Sequence, residues 1–291
     1  MYLIKKIYRR GQLTFFRHNQ RLTSFCYLTW HNFCIRIVLR RNEMKKSLIL
    51  LLALIFLTPS FAFSDIFTFK AGLFIPRAQS DLWRTEFENM SFSKSDYTTT
   101  NFGFAYEYFL TREVSAVLGI DNYTKNKVGN YVDYVGIMLV DGVFAFPTDY
   151  VEDFIPAHLF NISITPVQLS LKLIPMGRKG KFIPYLGGGV SLYLWSIRLN
   201  GDMVDFDDVW VYVPDDIDIY PITTVDAWEN NRISFGYHVF VGVMVPFTKR
   251  MTFEVEFKYN VARGELKEAF EGFEAFDLSA YQISLGLNYW F

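Results

Sequence analysis

The chain of 291 residues is 51% hydrophobic and 19% aromatic, and its formal net charge is -1. The charges are unevenly distributed, because residues 1–43 hold nine Lys or Arg against the single acid Glu43, together with both cysteines, Cys26 and Cys34. From Asp65 onward, 29 acidic residues outnumber 18 basic ones. This balance excludes a nucleic-acid partner, which needs a basic surface. The lack of cysteine after Asp65 excludes disulfides, thiolate metal sites and a catalytic thiol there.

Residues 44–64 have the three parts of a secretory signal peptide. Two lysines open the segment, an apolar run follows at residues 48–57, and the small residues Ala62 and Ser64 come last. The run is shorter than the roughly 20 residues that a membrane-spanning helix needs. We therefore expect secretion and cleavage after Ser64.

Three segments follow from this assignment. Residues 65–291 form the mature domain, and residues 44–64 are removed. We interpret residues 1–43 as a mis-called or non-structural leader, since they precede a complete signal peptide.

Alternation of apolar and polar residues dominates the chain after the signal. In Met251–Val261, every odd position is apolar or aromatic, and every even position is Thr, Glu, Lys or Asn. Such alternation predicts a strand with one apolar and one charged face, because a helix would scatter these charges around its circumference. The same pattern predicts eight strands, at residues 67–75, 102–110, 114–120, 160–173, 185–194, 233–245, 251–261 and 281–291.

One predicted strand, at residues 160–173, changes phase. Its apolar residues stand at even positions up to Ile164 and at odd positions from Val167 onward. Because a one-residue slip reverses every side chain, we interpret Thr165 and Pro166 as a β-bulge, where proline is tolerated. A lateral opening at Pro166 is the alternative.

The connections between the predicted strands alternate strictly between short and long. Short turns fall at residues 111–113, 177–180 and 247–250, and long loops fall at residues 76–97, 121–159, 197–232 and 262–276. This rhythm predicts an all-β fold, an eight-stranded antiparallel up-and-down transmembrane β-barrel in the outer membrane with both termini in the periplasm. A soluble β-sandwich fits less well, because its strands are usually about five or six residues long and need no aromatic fringe on their apolar faces.

With these features the chain resembles the small outer-membrane β-barrel proteins of the OmpA/OmpX- and OmpW-like group. The resemblance rests on the signal peptide, the eight-strand rhythm, the segment Pro184–Val190 and the terminal Tyr289-Trp290-Phe291. It implies that Tyr289 and Phe291 belong to a signal read by the barrel-assembly machinery. It also implies outer-membrane lipid and lipopolysaccharide as surroundings, but no particular activity, because function in this fold depends on lumen and loops.

The inward faces of the predicted strands carry a set of mixed charges. It comprises Lys70, Glu107, Asp121, Lys172, His238, Glu254, Glu256 and Lys258. We interpret the set as a salt-bridged plug, because an eight-stranded barrel is only wide enough for side chains to fill it. A gated ion path is the alternative.

Catalysis receives little support from the sequence. His238 shares a face with Ser234, and Glu256 is predicted on a neighbouring strand, so a lipid-modifying enzyme is a second hypothesis. No catalytic, metal or phosphate-binding motif surrounds these residues. We therefore expect no catalytic residue, no metal and no cofactor.

The third long loop is strongly acidic. Its acids are Asp202, Asp205, Asp207, Asp208, Asp215, Asp216, Asp218, Asp226 and Glu229, near only Arg198 and Arg232. Divalent cations are candidate partners for such an oxygen-rich cluster, although a solvated acidic loop needs no ligand. Interleaved apolar residues around Trp210 suggest a strand-like extension above the membrane.

The function predicted from the sequence is that of a non-enzymatic outer-membrane barrel of a Gram-negative-type envelope. It would contribute to envelope structure, surface interaction or limited, porin-like passage of small solutes. The alternatives are a lipid-modifying barrel enzyme and a transporter that releases small hydrophobic molecules through a lateral opening.

Overall fold

The computed structural model describes residues 65–178 and 180–291, without the side chains of Asn231 and Glu268. The expected leader and signal peptide, residues 1–43 and 44–64, lie outside this range. No helix of the described residues combines the length and the apolar character needed to cross a bilayer.

The described residues form twelve strands and one α-helix. The strands are β1 Ile66–Pro76, β2 Thr99–Phe109, β3 Val114–Asn130, β4 Tyr134–Leu139, β5 Gly142–Pro147, β6 Ala157–Leu173, β7 Ile183–Val204, β8 Trp210–Tyr212, β9 Ile217–Pro246, β10 Met251–Gly264, β11 Phe276–Asp277 and β12 Ala280–Trp290. Helix α1 spans Asp81–Asn89, and 3-10 turns span Lys94–Tyr97 and Glu268–Phe270.

Eight of these strands close into an antiparallel barrel. Their order is β1, β2, β3, β6, β7, β9, β10 and β12, and pairing of β12 with β1 completes the circle. The eight strands are those predicted from alternation, and the short turns also lie where the sequence places them. The fold class is therefore confirmed as an eight-stranded antiparallel β-barrel.

A band of apolar side chains covers the outside of the barrel. Its exposed members include Phe67, Phe69, Phe104, Tyr106, Leu118, Leu169, Leu171, Val190, Val239, Val241, Val255, Phe257, Ile283 and Leu285. We call this band the belt. An apolar outer surface around a barrel with a polar interior is typical of membrane-spanning barrels, in which the outward side chains contact lipid.

Four adjacent strands continue beyond the belt, on the side away from the short turns. These are β3, β6, β7 and β9, and we call their upper parts, residues 122–130, 157–165, 196–204 and 217–231, the extension. Outward positions of the extension are mostly polar, as at Asn126 and Ser163, whereas inward positions such as Phe160 and Ile197 are buried and apolar. The extension therefore has the polarity of a water-soluble sheet.

The β-bulge predicted at Thr165 and Pro166 is wrong. Strand β6 keeps one register against β7 along its length, with Pro166 opposite Tyr193, and its pairing with β3 resumes unshifted beyond Pro166. The apolar residues change phase because β6 leaves the belt there, so that Ile164 faces the interior while Val167 faces outward. Strand β6 is paired with β7 at Pro166 and with β3 on either side of it, so the described strands do not separate there. The register shift lies instead where Trp195 and Ile197 of β7 face β9.

The second and third long loops are shorter than predicted, because strands occupy much of them. The second loop contains the hairpin β4–β5, which pairs with the start of β9. In the third loop, β8 pairs with β9, which confirms the strand-like extension expected around Trp210.

Candidate functional site

The interior of the barrel at belt level contains the predicted charged residues. All eight are buried: Lys70, Glu107, Asp121, Lys172, His238, Glu254, Glu256 and Lys258. Each comes from an inward position of an alternating strand, so the belt on the outside and these side chains on the inside are two consequences of one pattern. We call the seven charged residues other than His238 the ionic layer.

Each lysine of the ionic layer is paired with carboxylates. Lys70 Nζ lies 2.8 Å from Glu256 Oε2 and 3.2 Å from Glu254 Oε1. Lys172 Nζ lies 2.9 Å from Glu107 Oε2.

The third lysine, Lys258, completes the ionic layer. Its Nζ donates to Asp121 Oδ2 at 3.1 Å and to Gln168 Oε1 at 2.7 Å. Neutral hydroxyl groups also donate hydrogen bonds to the carboxylates. The Ser115 hydroxyl donates to Glu107 at 2.6 Å, and the Tyr185 hydroxyl donates to Glu256 at 3.1 Å. Buried charges of this kind need both pairing and hydrogen bonds, and most of these have them.

An apolar cluster closes the barrel below the ionic layer, at the end with the short turns. Its buried members are Ile66, Phe109, Ile174, Ile183, Tyr185, Phe240 and Met244. We call it the apolar floor. Lys172 links the two layers, because its Nζ lies 3.9 Å from the centre of the Tyr185 ring.

A larger apolar cluster, the outer core, lies above the ionic layer. It joins the inward face of the extension to the first and fourth long loops, and its members include Leu82, Trp83, Tyr97, Tyr123, Phe160, Ile162, Ile164, Trp195, Ile197, Phe270 and Phe276. Trp83 of α1 is at its centre. The Trp83 ring stacks on Phe276 at 5.2 Å and meets Phe160 edge-on at 5.5 Å between ring centroids.

Little open space remains between these layers. The cavity within the ionic layer has a volume of about 20 Å³ and is lined by Lys70, Glu107, Asp121 and their neighbours. A site of this size holds one water molecule. The three layers therefore block the lumen of this conformation.

His238 has different neighbours from those predicted. Its Nε2 lies 2.7 Å from the Ser170 hydroxyl, and its Nδ1 lies 2.7 Å from the Ser191 hydroxyl. Ser234 instead accepts a hydrogen bond from Trp195 Nε1 at 2.9 Å. The imidazole thus bridges two strands from a buried position, with a serine on each ring nitrogen.

A second buried histidine forms an ion pair that the sequence did not predict. His158 Nε2 lies 2.7 Å from Glu86 of α1, and Nδ1 lies 3.3 Å from the carbonyl of Asp202. Burial lowers the pKa of His158, but the attraction and hydrogen bond of Glu86, with a smaller effect of Asp202, outweigh burial and raise it above its usual value. His158 lies above the belt and fastens α1 to the extension. Glu86 and His158 are 72 positions apart, so no local pattern could have revealed the pair.

The acids of the third loop do not converge. Asp226 binds Arg198 through two hydrogen bonds of 2.9 and 3.0 Å, and Asp215 accepts one from the Tyr150 hydroxyl at 2.9 Å. No group of three His, Cys, Asp or Glu in the described part of the chain has the geometry to hold a metal ion. The cation partner therefore stays a prediction without a site.

The C-terminal residues lie in the strand that closes the barrel. Tyr289 faces outward on β12, opposite Phe67 of β1, and the Phe291 amide donates to the carbonyl of Asp65 at 3.0 Å. Their predicted role in assembly stays a prediction.

Comparison with known proteins gives structural matches only. No protein-family model matches the chain, and no curated protein matches it. Solved structures that resemble it include Neisserial surface protein A, with 13% identity and a TM-score of 0.40 over 78% of this chain and 97% of the other. The outer membrane protein OprG from Pseudomonas aeruginosa has 15% identity and a TM-score of 0.40 over 78% and 96%.

Outer Membrane Protein W from E. coli is also similar, with 13% identity and a TM-score of 0.36 over 80% of this chain and 100% of the other. The closed eight-stranded pairing of this chain confirms the predicted resemblance to small outer-membrane β-barrels at the level of the fold. The eight-stranded architecture itself follows from the strand pairing described above.

Proposed function

We propose that this chain is a non-enzymatic, non-conducting outer-membrane barrel that contributes to envelope structure and presents an extracellular surface for interaction. The observation that carries the proposal is the three-layer filling of the lumen. An apolar floor, an ionic layer and an outer core follow one another along the axis. Passage of a hydrated solute would require the paired charges to separate in a confined space, and the desolvation cost opposes this.

The orientation in the outer membrane is part of the proposal. The three short turns and the two ends of the described chain, Asp65 and Phe291, lie at one end of the barrel, whereas the extension and the long loops lie at the other. Bacterial outer-membrane barrels have short periplasmic turns and longer extracellular loops. This supports periplasmic termini, an extracellular extension and recognition of Tyr289 and Phe291 by the barrel-assembly machinery.

The two alternative functions have weaker support. A lipid-modifying enzyme needs a nucleophile and a base that the substrate can reach, but His238 is 1% exposed and has a serine on each ring nitrogen. A lateral transporter needs a path through the wall. Pro166 provides none, because β6 is paired with β7 there and with β3 on either side of it. The wall also has a gap above Ala262, where β10 leaves β9, but buried Trp195 of the outer core lies behind that gap.

Conductance in planar bilayers tests the proposal. We expect no steady current from the unmodified protein and at most rare, small openings. Lys172→Gln should raise the opening frequency, because Glu107 then loses its lysine partner at 2.9 Å. Lys249→Gln removes the same charge from an exposed short turn and is the matched control. Large, stable, ohmic conductance from the unmodified protein would contradict the proposal.

A further inference from the structure

The barrel wall has a cleft where β10 separates from β9. Pairing between these strands ends at Ala262 opposite Gly236, and β10 then pairs with β11, with Arg263 opposite Asp277. Above this point β9 retains its pairing with β7, but its other edge no longer faces β10. The resulting space, which we call the lateral cleft, has a volume of about 450 Å³. This lies within the roughly 300–1,000 Å³ typical of ligand sites.

The lateral cleft carries an excess of positive charge. Arg232, Arg263 and Lys267 line it, and Glu265 is the acid among its lining residues. Arg263 and Lys267 are exposed, and no described acid lies within salt-bridge distance of either side chain. The cleft therefore offers two cations that can be drawn to an anion without first breaking an ion pair.

Arg232 is held in position for such a ligand. Its Nε lies 2.5 Å from Oε1 of the buried Glu229, which orients the guanidinium. Its Nη2 is buried and has no hydrogen-bond partner among the described residues. A buried donor without an acceptor is costly, so the guanidinium gains a hydrogen bond if it turns toward an anion in the cleft. Guanidinium groups suit phosphate in particular, because their planar donors match its oxygens.

The position of the lateral cleft identifies the source of the anion. Ile233 and Phe235 form one wall, and their side chains point outward with exposed fractions of 62% and 81%. They are the uppermost residues of the belt on β9, while the outward residue Ser196 on β7 is already polar. The cations therefore stand at the edge of the apolar band, where lipid headgroups begin.

We propose that the lateral cleft binds the phosphate of an anionic lipid of the outer leaflet. Arg232, Arg263 and Lys267 contact the phosphate, and an acyl chain lies along Ile233 and Phe235. The proposal rests on the proposed orientation in the outer membrane, but it does not depend on whether the lumen conducts. It gives the barrel a fixed lipid neighbour at one side of its wall.

Binding of lipid A to the purified barrel tests this proposal. The protein is expressed as the full chain, purified in detergent and titrated with diphosphoryl lipid A, and the bound lipid is measured by native mass spectrometry. The double variant Arg263→Gln/Lys267→Gln should weaken binding about 30-fold, because each cation near a membrane surface contributes roughly a factor of five. Arg84→Gln/Lys94→Gln, which removes two exposed cations from the first loop, is the matched control and should bind as the unmodified protein does.

Two further ligands distinguish the source of the phosphate. Dephosphorylated lipid A with the same acyl chains should bind as weakly as the double variant binds lipid A. Inorganic phosphate at millimolar concentration should not displace lipid A. Undiminished binding by the double variant, equal binding of the dephosphorylated lipid, or displacement by free phosphate would each overturn the proposal.

Folding and orientation are checked separately. The change in electrophoretic mobility between folded and boiled protein shows whether each variant forms the barrel, and the single variant Lys267→Gln, in a loop, replaces the double variant if that one does not fold. A loss of lipid A binding is then separate from a failure of the fold. Orientation is tested by chemical labelling in cells, so a wrong orientation and an empty cleft give different results.

Discussion

The belt and the extension share four strands, but the polarity of the two faces is reversed. The belt is apolar outside and polar inside, whereas the extension is mostly polar outside and apolar inside. Within the belt, outward Leu169 and Leu171 face lipid, and the neighbouring Lys172 lies in the ionic layer. A few residues higher on the same strand, Ser163 faces outward and Ile162 is fully buried inside. The strand does not slip between these regions. The surroundings change from lipid to water, and the apolar side chains therefore move from the outside to the inside.

This exchange explains why the lumen is filled in different ways along its axis. Water surrounds the extension, so burial of apolar side chains in its interior stabilises the fold, as in a soluble protein. Trp83 and its neighbours fill this interior and close the mouth of the barrel. Where lipid surrounds the belt, the outer face takes the apolar residues. The inner face there is polar, and it is filled by paired charges. The comparison leads to different expected effects for substitutions in the two regions.

The largest expected effect is in the outer core. Trp83→Ala should lower the free energy of unfolding by about 3–5 kcal/mol, because it leaves a cavity among packed rings. Trp228→Ala is the control, since Trp228 is half exposed on the outside of β9, and there we expect about 1 kcal/mol or less. Urea titrations of both variants in detergent measure the difference. Equal destabilisation would show that the outer core is not packed as described.

A charge placed on the outer face should distinguish belt from extension. Val255→Arg, in the middle of the belt, should destabilise the barrel by about 2–4 kcal/mol in lipid. Asn126→Arg, outward on the extension, should change stability by less than about 0.5 kcal/mol. Unfolding in lipid vesicles measures both variants. Similar tolerance at the two positions would remove the distinction between lipid-facing and water-facing strands.

The smallest expected effect is a pH dependence confined to the extension. In the folded protein, burial lowers the pKa of His158, but the attraction and hydrogen bond of Glu86 outweigh burial. The pKa is therefore raised above its usual value. The stabilisation it provides is therefore complete below the unfolded pKa of about 6.5 and is lost as the pH rises through the folded pKa. Besides Glu86, the groups near the ring are the Asp202 carbonyl and Tyr131.

Hydrogen exchange of the α1 amides measures this effect. After correction for intrinsic rates, protection of Leu82–Asn89 should be greater at a pH of about 5.5 than at about 9. Glu86→Gln should abolish the difference. A pH dependence that persists in Glu86→Gln, or that has the opposite sign, would contradict the role assigned to this pair.

The sequence predicts more of the barrel than of its interior. Alternation within Met251–Val261 and its counterparts locates all eight barrel strands, because lipid and lumen impose opposite polarity on successive residues. The charged lumen residues follow from the same pattern. Their pairing, such as Lys70 with Glu256, depends on strand register and on neighbours 186 positions away, which alternation does not define.

Other features needed three-dimensional information. The phase change at Pro166 resembles a bulge in the sequence, because polarity alone does not show where the membrane ends. The docking of α1 into the mouth depends on Trp83, which in sequence is one aromatic residue in a long loop. The lateral cleft arises where β10 leaves β9, and neither strand contains a local signal for that separation.

The continuous register of β6 is the central structural claim, and single-cysteine labelling in intact cells tests it most directly. The described chain contains no cysteine, so each new thiol is unique in the mature domain. With a membrane-impermeant reagent, cysteines at Asn161 and Ser163 should react, whereas those at Ile162 and Ile164 and those at Leu169 and Leu171 should not. Reaction at Ile162 and Ile164 with protection at Asn161 and Ser163 would mean that β6 slips by one residue, and it would contradict this account.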